Sequence, residues 1–309
     1  CYLNLIKHFK NSETEIILFK VESCKTDSIT RLIESIAKET LVLPNSLETA
    51  CEIVIKSSID ILLYLDIGMS TKTYLLSLSR LALVQVLHAG HPNTSGSPNM
   101  DYYISHQPKE PVDSDVFFTE RVIRMNRIAN NYSIPKVQTS TFERSNLNIS
   151  NNDFLIGLPH TLFKYHPDFD KTLDNILKAI PNAYLLFFEG SRKYETDTIL
   201  SRWQQNSDLI INRLIIHRRV EFDAFLAMFK SFDIVLDPFY FGMGNTFYQA
   251  MACGIPVVTM PTKQGRGRFV YAGYKQMGIT NPPQASTPDE YVSICKKLAF
   301  NSSYRKDII

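Results

Sequence analysis

Nine short apolar runs limit what this chain can fold into. They fall at residues 16–19, 61–64, 83–87, 102–104, 154–157, 183–188, 214–216, 234–236 and 257–259. Near-continuous hydrophobicity over so few residues suits strands covered on both faces. Between them lie stretches with helical spacing, among them residues 28–37, 170–179, 223–230, 246–252 and 288–299. This alternation predicts an α/β fold built on parallel sheets of the doubly wound kind. The helix starts agree: Asp27 and Ser28 offer capping oxygens, and Pro288-Asp289-Glu290 puts a proline and two acids in a first turn.

With 309 residues there is room for two domains. The stretch "IPKVQTSTFERSNLNISNND", residues 134–153, is rich in Ser, Thr and Asn and has little periodicity. It reads as a linker between a domain at 1–133 and another at 154–309, or else as a long loop within one domain. Two such domains would leave a cleft between the carboxyl edges of their sheets, where ligands of open α/β sheets lie.

The formal net charge of +2 and the lack of long basic runs argue against a nucleic-acid partner. No apolar run approaches the roughly 20 residues that cross a bilayer, so no membrane partner is expected. The five cysteines, Cys1, Cys24, Cys51, Cys253 and Cys295, are scattered, which suits reduced thiols. With no export signal, the expected location is cytoplasmic. The chain opens at Cys1 and moves straight into apolar-patterned sequence, so it is expected to be a fragment of something longer.

Chemistry gathers where strands end. In "LDPFYFGMGNTFYQAMACGIPVVTMP", residues 236–261, a buried strand runs into a glycine-rich turn and then at once into a helix. Gly242 and Gly244 can take positive φ or admit a ligand to the backbone. Asn245 and Thr246 are expected at the N-cap, where side chains and first-turn amides could hold a diphosphate or merely cap the helix. Arg266 and Arg268 follow the next strand in "GRGR", as phosphate-matching guanidinium forks or as solvated surface residues. In "GLPHTLFKYHPDFD", residues 157–170, the strand end releases His160 and Thr161 into a loop, followed by Lys164. Lys164 could neutralise a departing phosphoryl group or lie along the surface; His160 could contact the same group or be satisfied by loop carbonyls. In the first domain, "LHAGHPNTSG" carries His88, His91 and Thr94, and Asp66 ends another strand. No strand-end Asp-x-Asp and no metal-like histidine spacing is present, so no metal is expected.

These blocks, in this order, resemble the catalytic region of the O-linked N-acetylglucosamine transferase family, particularly its bacterial and SPINDLY-type members, from about residue 15 to the end. They are "DILLYLDIGMSTKTYLLSLSRLALVQVLHAGHPNTSG" with "MDYYIS", "LPHTLFKYHPDFD", and "DIVLDPFYFGMGNTFYQAMACGIPVVTMP" with "GRGRFVYAGYKQMGI". The resemblance implies a GT-B fold, two Rossmann-like domains facing across a cleft, with the acceptor-side domain incomplete here. It implies inverting, metal-independent transfer of N-acetylglucosamine from UDP-N-acetylglucosamine to Ser or Thr hydroxyls of proteins. The partners are then a nucleotide-sugar donor and a protein or peptide acceptor, with homo-oligomerisation open and no cofactor besides the donor.

Carried over by residue, Lys164 resembles the lysine that contacts the donor phosphates and stabilises the leaving UDP. Gly244, Asn245 and Thr246 match the diphosphate loop, with His160 and Thr161 beside the donor and Arg268 in the following segment. His91 and Thr94 lie at the acceptor-domain edge; His88 and His91 are the base candidates. The chain also departs from the family. Gly244-Asn245-Thr246 replaces the animal His-Thr-Thr run, Phe225 aligns near the position where the animal enzymes have a histidine that packs on uracil, and Gln249 replaces a ribose-facing aspartate. A GDP-fucose donor, another GT-B glycan-building activity and a non-catalytic binding fragment therefore stay open. The family's upstream helical tetratricopeptide array is not in this sequence.

Overall fold

The computed structural model describes residues 2–10, 13–65, 67–88, 90–130, 132–135 and 142–308, so Asp66 and residues 136–141 of the expected linker lie outside it. The chain folds as two compact units, Cys1–Ser133 and Ile134–Ile309. Among the described residues no helix is long and apolar enough to cross a membrane.

The first unit runs α1 (Leu3–Lys10), β1 (Ile17–Val21), α2 (Ser28–Glu34), β2 (Glu39–Leu43), α3 (Leu47–Lys56), β3 (Ile61–Tyr64), α4 (Thr71–Ser77), β4 (Val84–His88), β5 (Tyr102–His106) and β6 (Arg121–Met125). Strands β3 to β6 pair in chain order as a parallel sheet, while β1 and β2 form a separate parallel pair. Asp27 caps α2 by accepting the Thr30 amide at 2.7 Å, as its position before Ser28 foretold. The core gathers Leu62, Tyr64, Leu87 and Tyr103 from the sheet with Ala50 and Val54 from α3.

The second unit runs β7 (Phe154–Leu158), α5 (Asp168–Ala179), β8 (Ala183–Phe188), α6 (Lys193–Asn206), α7 (Asp208–Asn212), β9 (Leu214–His217), α8 (Phe222–Phe229), β10 (Ile234–Leu236), α9 (Asn245–Ala252), β11 (Val257–Val258), α10 (Phe269–Met277), α11 (Pro288–Phe300) and α12 (Ser302–Lys306). Its parallel sheet has the order β11-β10-β7-β8-β9. From β7 the chain winds outward through β8 to β9, then returns to lay β10 on the other side of β7. Strand order reverses between β7 and β10, and the crevice outside their carboxyl ends is where open α/β sheets bind ligands.

Leu155, Ile156, Leu185, Leu186 and Val235 are wholly buried, which is what the unbroken apolar runs require. Residues 144–153, within the stretch read as linker, are built into this unit. The Arg144 guanidinium donates to the carbonyls of Ser231 (2.6 Å) and Asp153 (2.9 Å) and to the Asp233 carboxylate (2.7 Å), and Leu147 joins the core.

Candidate functional site

The loops leaving β7 and β10 meet at the point of strand reversal. After β7 the chain turns through a short 3-10 segment, Leu162–Lys164. Lys164 ends it half-buried, and its Nζ donates to the Gly242 carbonyl at 2.8 Å while lying 4.6 Å over the Phe241 ring. Burial pushes the ammonium down to about 8, against the pull of the Asp237 carboxylate. A lysine stretched along the surface would make neither contact. Phe163, beside it, is 71% exposed and packs edge-on to Phe241.

Three ties hold the β10 loop. The Gly242 amide donates to the Arg266 carbonyl (2.8 Å), the Gly242 carbonyl receives Lys164, and the Met243 amide donates to Asp237 Oδ1 (2.6 Å). Neither Gly242 nor Gly244 takes positive φ; the left-handed residue is Tyr240, at φ 68°. That strained conformation is held by the Tyr240 hydroxyl donating to Asp168 (2.6 Å) and by the ring meeting His166 edge-on. Glycine is required at 242 for space, since a Cβ there would sit 2.9 Å from Asp237 Oδ1.

Helix α9 starts one residue earlier than expected. Gly244 is its N-cap, Asn245 and Thr246 are its first two residues, and no side chain caps it. Among the described residues the amides of Asn245 and Thr246 have no acceptor, so this helix start points unsatisfied N–H groups outward. Asn245 and Thr161 are exposed, and Gln249, one turn along α9, is half-buried with no side-chain hydrogen bond among the described residues. Arg268 folds back onto its own segment: Nη1 donates to the Thr262 carbonyl (3.0 Å), the guanidinium covers Tyr271, and among the described residues the buried Nε has no hydrogen-bond partner. The structure thus joins Lys164 to the Gly242–Gly244 turn and, through the Arg266 backbone, to the loop after β11, but it records no contact between Arg268 and Lys164.

His160 takes the satisfied role. It is buried, its Nε2 lies 2.6 Å from the Leu236 carbonyl, and burial pushes its pKa down to about 3. A carbonyl only accepts, so Nε2 carries the proton and the ring is neutral. Asp237 is the residue that sequence reading passed over. It sits 2% exposed at the end of β10, accepts Met243 N–H and the Thr259 hydroxyl (2.7 Å), and is pushed up to about 7 by burial. Its signal was in plain view, a carboxylate ending an otherwise apolar strand directly before a proline.

In the first unit His91 is half-buried, its ring against Gly68, and its carbonyl accepts the Tyr103 hydroxyl at 3.3 Å. His88 is buried beside Tyr2 and pushed down to about 4 by that burial. Thr94 is used in shaping its loop: it donates to Glu120 Oε2 (2.7 Å), while Glu120 Oε1 receives the Ser95 amide (2.7 Å). Among the described residues no group of three or more His, Cys, Asp or Glu is placed to hold a metal ion.

No protein-family model matches the chain. It is 25% identical over 247 residues to the UDP-glucose:protein N-beta-glucosyltransferase of Actinobacillus pleuropneumoniae serotype 7 (strain AP76), covering 79% of this chain and 38% of that protein. It is 26% identical over 230 residues to the probable UDP-N-acetylglucosamine–peptide N-acetylglucosaminyltransferase SPINDLY of Solanum lycopersicum, covering 71% of this chain and 24% of that protein. The chain spans well under half the length of these curated relatives. Among solved structures, the Thermobaculum terrenum O-GlcNAc transferase superposes with a TM-score of 0.81 at 21% identity, over 98% of this chain and 59% of that one. Anabaena HepE, solved with UDP and glucose, gives a TM-score of 0.55 at 16% identity, over 99% and 92%. The likeness shows the fold: a two-domain α/β architecture, parallel sheets flanked by helices, that matches the GT-B glycosyltransferases.

Proposed function

We propose that this chain is the sugar-transferring region of a metal-independent, UDP-sugar-dependent protein glycosyltransferase. In this reading N-acetylglucosamine passes from UDP-N-acetylglucosamine to Ser or Thr hydroxyls. The observation that carries it is the Lys164 ammonium meeting the glycine-rich turn at the strand-order reversal, just ahead of the two unsatisfied amides of α9. The names of the relatives support a UDP-sugar donor and a protein acceptor. Glucose is the second reading, because one relative is named as a UDP-glucose enzyme.

The acceptor oxygen bonds to the anomeric carbon as that carbon's bond to the β-phosphate oxygen breaks, and the bonding electrons leave with UDP. Negative charge then builds on the departing diphosphate. Lys164 exchanges the Gly242 carbonyl for a phosphate oxygen, a stronger charge-assisted bond, and the amides of Asn245 and Thr246 receive the rest. Each preorganised donor in such a site is worth about 3 kcal/mol in the transition state. Gly244 leaves the backbone open to the ligand; Thr161, Gln249 and Arg268 complete the assigned donor contacts, and His160 holds the β10 strand end. The acceptor's proton is assigned to His91, since His88 is too weak a base at about 4.

Calorimetric titration with UDP, GDP, UDP-N-acetylglucosamine, UDP-glucose and GDP-fucose tests this. UDP and one UDP-sugar should bind at micromolar level, with a loss of about tenfold or more in Lys164→Ala. His91→Asn should keep that affinity and lose turnover. If no nucleotide binds, or if Lys164→Ala binds as the unmodified chain does, the proposal fails; tighter binding of GDP than UDP would move the donor to GDP-fucose.

A further inference from the structure

The β10 loop ties one backbone amide, that of Met243, to a buried carboxylate. Asp237 lies at the floor of the loop, 2% exposed, with Oδ1 on the Met243 amide and Oδ2 on the Thr259 hydroxyl. Its Oδ1 also fills the space where a side chain at 242 would go. The amide it holds and the carbonyl that receives Lys164 are the two ends of one peptide group, Gly242–Met243. A carboxylate this deep is costly to ionise without a counter-charge. Among the described residues Lys164 is the one charged group that acts on it. The other titratable groups facing the pair are neutral: His160 from the β7 loop, Tyr274 from α10 and Tyr291 from α11, whose hydroxyl donates to the Asp237 carbonyl at 3.1 Å.

We propose that Asp237 is the positioning residue of this anion site: its carboxylate pins the turn carrying Gly242, and it is the counter-charge against which Lys164 is set. This rests on the diphosphate reading above and adds a division of labour to it. Lys164 touches the ligand, and Asp237 acts only through Lys164 and the turn. The Asp237 carboxylate favours the charged form of an ammonium that burial disfavours, and the Gly242–Met243 peptide group links the two side chains. Diphosphate binding then draws Lys164 off the Gly242 carbonyl while the turn stays fixed from below.

The test reads Lys164 directly in ligand-free protein. Amine labelling with trinitrobenzenesulfonate, followed residue by residue by mass spectrometry across pH, gives the protonation midpoint of Lys164. Asp237→Asn keeps an oxygen for the Met243 amide and loses the charge, so it separates charge from shape. The unmodified chain should show a midpoint near 8, and Asp237→Asn should lower it by about one pH unit. An unchanged midpoint overturns the proposal. Should Asp237→Asn not fold, Lys164→Met carries the reciprocal test: the Asp237 carboxyl resonance, read by carbon NMR, should titrate higher than the value near 7 of the unmodified chain, and an unmoved resonance overturns the proposal. Pyrophosphate titration of the unmodified chain is scored separately. A chain that labels as expected yet binds no pyrophosphate retains the Asp237–Lys164 coupling and discards the diphosphate reading.

Discussion

Three buried histidines and one buried carboxyl pull stability in opposite directions with pH. His88, His106 and His160 are held neutral by burial, with pKa values pushed down to about 4, 3 and 3 from an ordinary 6.5. Below 6.5 the unfolded chain takes protons at these rings while the folded chain does not, so acidification favours unfolding. Asp237 works the other way: folded, it keeps its proton up to about 7, and unfolded it loses it near 3.8, so acidification through that window favours the fold. Three groups outweigh one, and stability should fall from pH 6.5 toward 4. His160→Gln can still donate to the Leu236 carbonyl and does not titrate. Urea unfolding at a series of pH values should show it losing less stability on acidification, by at most about 1.4 kcal/mol per pH unit. Equal slopes for the two proteins would mean that His160 is not buried and neutral as described.

Helices α9 and α10 approach each other closely enough to make one glycine irreplaceable. A Cβ at Gly273 would lie 2.1 Å from Cε1 of Phe247, a wholly buried ring that also packs on Tyr274 at 5.0 Å. Gly273→Ala must push α9 and α10 apart, at a cost of about 1–3 kcal/mol. Phe247→Leu removes the offending ring edge, so the double variant should cost less than the two single costs added together, measured as urea midpoints. Strict additivity would mean the two helices do not touch there. Such contacts were invisible in the sequence, because a glycine inside a helix looks the same whether it serves close packing or nothing. The strands were visible where the apolar run is unbroken: β3, β8 and β10 match those runs residue for residue. Strands β2 and β6 were not foreseen. Glu39–Leu43 and Arg121–Met125 carry charges and half-exposed positions, and β6 lies at its sheet's edge, so neither presents an unbroken apolar run. Lys164 could be suspected from its place after a strand, yet its bond to Gly242 needed the two loops in space. Asp237 was missed because a single acid in a buried run reads as the strand's end rather than as a partner for something 73 residues earlier.

The two units differ in how much core they own. In the second, every residue of β7 and β10 is buried, and the core extends through α5, α9, α10 and α11. In the first, β1 has no fully buried residue, the strands divide into two sheets, and the core is a shorter set around Leu62, Leu87 and Tyr103. Buried apolar area is what opposes chain entropy, so the first unit should be the weaker of the two. The chain carries its own reporter of this difference. Its single tryptophan, Trp203, is wholly buried in the second unit, where its indole N–H donates to Asp170 at 2.8 Å. Tryptophan fluorescence therefore follows the second unit alone, while far-ultraviolet circular dichroism follows both. In guanidinium chloride the circular dichroism should begin to change at lower denaturant than the fluorescence does. If the diphosphate site lies wholly on second-unit loops, UDP should shift the Trp203 transition to higher denaturant by mass action and leave the earlier phase in place. Coincident curves would instead mean that the units unfold as one cooperative body, and a UDP shift confined to the earlier phase would put the nucleotide on the first unit.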